Sequence, residues 1–148
     1  MQDRPTYSEL LAAVQHFLEA DAVPALDGPK KFHARVAANV LAIVRRELQN
    51  ADTQLRAEWQ RLDAVLGRPE PVPADRAELY GRLRQRTEEL CERIRHGDAD
   101  AGPWREAVWA HVRQTVVDKL AVANPKYLGA ALSQAVGARD SAVDDEQH

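Results

Sequence analysis

Six polar side chains lie in or beside the apolar rows that helical periodicity lays out, and they are the residues through which this chain could do chemistry. Four lie in "KKFHARVAANVLAIVRREL", residues 30–48: His33, Arg35, Asn39 and Glu47. The other two are Lys119 and Asn124, both in "VWAHVRQTVVDKLAVANP", residues 108–125. Arginine and lysine suit an anion, histidine can bind one or exchange a proton, and the asparagines offer neutral hydrogen bonds. With residues placed 100° apart around a helix, Val36, Val40 and Ile43 mark the centre of a wide apolar arc. Glu47 falls in the row of Ile43, His33 falls near Val40 and Val44, and Arg35, Asn39 and Arg46 group along one edge. Lys119 lies between Val112, Val116 and Ala123 in the same way.

A charge inside an apolar row needs an opposite charge, because an unpaired buried ion neutralises itself through its pKa. Glu47 and Lys119 are the natural pair. Strict up-and-down alternation of the helices would separate them and bring Lys119 and Asn124 level with His33 and Arg35. A connection that crosses the bundle would bring Glu47 and Lys119 together. Two readings follow. The six residues are structural fittings, with Lys119 snorkelling to water along its own stem, or they line an anionic-ligand pocket between the helices that carry them.

The elements that must position these residues are all helices. Thr6-x-x-Glu9 has capping-box spacing, and Tyr7, Leu10, Leu11, Val14, Phe17 and Leu18 then repeat at helical intervals, which predicts a first helix from Thr6 to about Ala20. Pro24, Gly28 and Pro29 break it. A second helix is expected over Lys30–Gln49. "NADT" supplies caps for a third, in which Leu55, Trp59, Leu62 and Leu66 form a stripe that Gly67 ends in the left-handed conformation. "RPEPVPAD" follows as a Pro-rich, semi-rigid connection. Asp75 can cap a fourth helix with Leu79, Leu83, Leu90 and Ile94 on its inner side and Gly97 as its stop. Pro103 suits the first turn of a fifth, whose apolar row is Val108, Val112, Val116, Leu120 and Ala123, and Pro125 ends it at Asn124.

The expected fold is therefore all-α: a single-domain bundle of about five helices over residues 1–127, with the Pro-rich connection between helices three and four. A weakly structured acidic tail is expected over 128–148.

Composition limits the function. The chain has 148 residues, 45% hydrophobic and 29% charged, enough for one sizeable core. Net charge is −3, with acidic and basic residues interleaved, so the concentrated basic face that nucleic-acid binding needs is missing. "GRLRQRTEELCERIR" reads as a solvated helix face with Glu89 and Arg93 in favourable i,i+4 order. Cys91 is the single cysteine, which excludes an internal disulfide and a thiolate metal cluster. "MQDRPTYSEL" lacks the basic start and apolar run of a signal peptide, and no stretch approaches the roughly 20 apolar residues of a membrane span. A cytoplasmic location is expected.

No glycine-rich phosphate loop, nucleophile elbow or His-Glu-x-x-His pair occurs. The sequence therefore points to no catalytic residue, metal or cofactor and leans away from an enzyme. Trp104 and Trp109 near the start of the fifth helix are candidate interface anchors, although their apolar spacing equally suits a place in the core. A homodimer is open to a small bundle, two-fold dimers being the commonest oligomers.

The segments "DRPTYSELLAAVQHFLEADAVPALDG", "FHARVAANVLAIVRREL" and "VDKLAVANPKY" resemble a family of small uncharacterised helical proteins of bacteria, from about Asp3 to Tyr127. The resemblance implies a genomic setting beside an acyl-CoA dehydrogenase and a kinase-like phosphotransferase of the aminoglycoside-phosphotransferase type. It thus implies an accessory or interaction role toward one of those enzymes. It transfers no activity and no catalytic residue.

Overall fold

The computed structural model describes residues 4–131. Among them every regular element is helical: α1 (Tyr7–Phe17), a π-helical turn (Leu18–Ala22), α2 (Val23–Ala25), α3 (Gly28–Leu66), α4 (Arg76–Arg95) and α5 (Pro103–Ala123). The expected all-α fold, with five α-helices and a Pro-rich connection between the third and fourth, is the observed one. Helical backbone is found again over 125–131. The remainder of the expected acidic tail, 132–148, lies outside the described residues. No helix among those described is long and apolar enough to cross a membrane.

The chain divides into two compact units, residues 1–50 and 51–148. Helix α3 contributes its first half to one and its second half to the other. The expected break at "NADT" does not occur: α3 runs unbroken for 39 residues. Asn50 uses its side-chain amide to bond the Arg46 carbonyl of the preceding turn (2.7 Å) rather than to cap a new helix. Ala51 and Leu55 are buried at once, so continuing the helix buries apolar surface that a loop would leave in water. Helix capacity in Asn and Thr is weak but not prohibitive, and tertiary packing overrides it.

The first unit is a helical hairpin. The Thr6 hydroxyl accepts from Glu9 N–H (3.3 Å) and Glu9 accepts from Thr6 N–H (2.7 Å), the full capping box. Gln15 accepts from Arg45 Nη1 (2.8 Å), Ser8 accepts from the Gln49 amide (3.5 Å), and Ala38 is buried. The order of those bonds makes α1 antiparallel to the first half of α3. Two rows of large apolar residues remain exposed: Tyr7, Leu10, Val14 and Phe17 on α1, and Phe32, Val36, Val40, Val44 and Leu48 on α3.

The second unit is built on Leu55, Trp59, Leu62 and Val65 of α3, Leu79, Leu83 and Leu90 of α4, and Val108 of α5. Gly67 (φ 66°) and Gly97 (φ 89°) end α3 and α4 in the left-handed region, which side chains with a Cβ enter at a cost. Arg68 N–H reaches Asp63 C=O and Asp98 N–H reaches Arg93 C=O, both at 3.2 Å, as Schellman ends require.

Candidate functional site

Helix α5 is turned by about one residue, 100°, from the rotation its apolar row predicts. The buried positions are Val108, His111 and Val122, with Thr115 half-buried beside them, whereas Val112 and Val116 are exposed. Three polar contacts within the unit set this rotation. The Asp118 carboxylate pairs with Arg61 Nη2 (2.8 Å), the Asp118 carbonyl accepts from the Gln54 amide (3.2 Å), and Trp104 Nε1 donates to Val65 C=O (2.7 Å). Turning α5 to bury Val112 and Val116 would break all three.

Trp109 is left 61% exposed. The core place that its spacing allows is therefore corrected: the indole lies on the outer side of α5. It borders a groove of about 380 Å³ that Ile94, Ala99, Val108 and Val112 also line, together with Asp100 and Arg105. The other candidate anchor, Trp104, is half-buried, and the Arg93 guanidinium lies over its ring at 4.1 Å. An exposed indole at an apolar groove with one cation and one carboxylate beside it suits recognition of another protein surface.

His111 is buried, and its pKa is pushed below the ordinary imidazole value, first by burial and second by the positive charge of Arg61. Both effects favour the neutral imidazole.

A second polar assembly surrounds Trp59, which is 0% exposed and donates from Nε1 to Glu70 C=O (3.0 Å). Two guanidinium groups of α4 lie over its ring, Arg86 at 4.4 Å and Arg82 at 5.3 Å. Arg86, 4% exposed, pairs with Asp63 (2.6 Å) and donates to Arg68 C=O (3.0 Å). Arg82 pairs with Glu70, and Arg68 with Glu89 (2.8 Å). "RPEPVPAD" is thus strapped across Trp59 by backbone and side-chain bonds, and its Pro73 is buried. Arg86 is not part of a solvated helix face, and Glu89 and Arg93 turn to Arg68 and Asp98 instead of to each other. The sequence signal for this assembly was Arg82 and Arg86, one helical turn apart on the side of α4 that carries Leu79, Leu83 and Leu90.

The six residues singled out by periodicity fall in both units. His33, Arg35, Asn39 and Glu47 are exposed on the first half of α3, and the His33 ring meets Phe32 edge-on at 5.9 Å between centroids. Lys119 is exposed on α5 and lines a cavity of about 450 Å³ with Leu55, Glu58, Tyr80 and Glu92. Asn124 ends α5, and its side-chain oxygen accepts from Tyr127 N–H (3.2 Å), starting the next helical turn. Among the described residues no group of three or more His, Cys, Asp and Glu is placed to hold a metal ion.

These features define an all-α protein with an exposed aromatic groove and a buried arginine–tryptophan assembly. Residues 24–127 match the family described as a domain of unknown function (DUF6285), and the chain belongs to that family. No curated protein matches the chain, and no solved structure does.

Proposed function

We propose that this protein is a non-catalytic interaction module that docks a partner enzyme on the outer face of α5, with Trp109 as the anchor. The observation that carries this reading is the 61% exposure of Trp109 beside an apolar groove. Water contact at an indole is unfavourable, and a groove beside it gives a partner both area and shape to fill. The resemblance of the sequence to small bacterial helical proteins supplies the candidates: an acyl-CoA dehydrogenase or a kinase-like phosphotransferase from the same organism.

The test is retention of each purified enzyme on the immobilised full-length chain at micromolar concentration. Trp109→Ala should weaken the interaction by about 2 kcal/mol or more, roughly thirtyfold in Kd. The same change should leave folding stability within about 0.5 kcal/mol, since the side chain is mostly outside the core. Retention of neither enzyme by the folded chain, or equal retention by Trp109→Ala, overturns the reading.

A further inference from the structure

The cavity of about 450 Å³ that Lys119 lines opens where the second half of α3 meets α4 and α5. There α3 and α4 run in the same direction: Arg76 reaches Asp52 (3.5 Å) at one level, and Arg86 reaches Asp63 (2.6 Å) further along both. Helix α5 returns antiparallel, since Trp104 bonds Val65 C=O and the Asp118 carbonyl accepts from Gln54. Lys119 thus comes near the level of Leu55 and Glu58 on α3 and of Leu83 on α4, which line the same cavity. Leu55 and Leu83 are buried and give it an apolar floor. The Thr87 hydroxyl donates to Leu83 C=O (2.8 Å), so its proton is not offered to a guest.

The charges around this floor are balanced, with Arg84, Arg95 and Lys119 against Glu58, Glu88 and Glu92. Arg84 and Glu88 pair with each other (3.0 Å). Glu92 and Arg95 stand roughly 15–20 Å further along α4 than the level of Glu58, at the helical rise per residue. That leaves Lys119 and Glu58. They border one floor from two helices, yet among the described residues neither makes an ion pair. We propose that a zwitterion with an apolar body binds between them. Its carboxylate meets the Lys119 ammonium, its ammonium meets the Glu58 carboxylate, and its side chain covers Leu55 and Leu83. This is the chemistry of an apolar α-amino acid, free or as the two ends of a dipeptide. An anion drawn to Lys119 would lie beside Glu58, and a cation drawn to Glu58 would lie beside Lys119. Only a guest carrying both signs escapes that repulsion, which makes the pair a filter against singly charged molecules. The floor adds the attraction of an aliphatic side chain leaving water. No lining residue is shared with the Trp109 groove, so either proposal can fail alone.

Cys91, the single cysteine, lines the same cavity and reports its occupancy. Alkylation of the full-length chain by iodoacetamide, followed by mass spectrometry, is the measurement. L-leucine or leucyl-leucine at about 10 mM should slow it about threefold or more, as two-thirds occupancy requires. The one that protects at lower concentration tells free amino acid from peptide. N-acetyl-leucine and leucinamide each keep one charge and should need about tenfold higher concentration. Lys119→Met should reduce protection by leucine to that by leucinamide, and Glu58→Gln to that by N-acetyl-leucine. Both variants should keep the wild-type circular dichroism, because Lys119 is exposed and Glu58 half-buried. Absence of protection by both zwitterions, equal protection by N-acetyl-leucine, or protection that survives Lys119→Met overturns the proposal.

Discussion

Arg86 holds a guanidinium at 4% exposure, and the groups around it divide its charge among themselves: the Asp63 carboxylate, the Arg68 carbonyl and the face of Trp59. Arginine suits this position because its planar head can stack and donate at once, which an ammonium cannot do. Arg86→Met should cost about 3–5 kcal/mol in urea denaturation, since it strands the half-buried Asp63 carboxylate. Replacing both Arg86 and Asp63 by leucine should recover much of that loss, which a double-mutant cycle would read. His111 makes a prediction in pH. Its folded pKa lies below its ordinary value of 6.5, so under mildly acid conditions the unfolded chain binds the proton that the native chain refuses. Its contribution to stability is complete above about pH 6.5 and is lost as pH falls through the lowered native value. His111→Leu should therefore flatten the decline in denaturation midpoint between pH 7 and pH 5. An equal decline in both proteins would show that His111 does not titrate in this way. Arg86 signals its burial only by sharing the side of α4 that carries Leu79, Leu83 and Leu90, and His111 carries no such signal, because a single polar position on a helix does not show which neighbour will cover it.

At the scale of elements, caps and stops were legible and continuity was not. Thr6, Asp75, Gly67, Gly97 and Pro103 act through bonds or dihedrals within a few residues of themselves, so their positions could be read directly. "NADT" offers the same kind of local signal, yet α3 passes through it, because Ala51 and Leu55 bury more apolar surface in a helix than a loop would allow. Thr53→Pro tests that continuity: it removes one helical hydrogen bond and sets the ring against the preceding turn. It should lower stability by about 3 kcal/mol or more. Tolerance of proline there would mean that a loop at "NADT" serves equally well. The rotation of α5 is a different lesson. Apolar residues cover so much of its circumference that periodicity alone supports more than one inner face. Asp118, Gln54 and Trp104 choose among them through contacts across the unit. The candidate interface at Trp109 exists because of that choice.

For the whole molecule, apolar surface left outside the core is the quantity that governs behaviour. The six residues first marked for chemistry take on separate meanings at this scale. His33, Arg35, Asn39 and Glu47 are exposed on the first half of α3, Asn124 organises a helix end, and Lys119 borders a cavity of the second unit.

The amino-acid order by itself determined the helical class, the caps at Thr6 and Asp75, the glycine stops at Gly67 and Gly97, the Pro-rich connection and the leucine rows of the second unit. Each depends on backbone dihedrals, capping bonds or periodicity that act over a few residues. Only the tertiary structure decided that α3 is one helix, that Arg86 and His111 are inside, and that Trp109, Val40 and their neighbours are outside. Helices with apolar residues on most sides can bury any of several faces, and the choice falls to hydrogen bonds and ion pairs between residues distant in the chain.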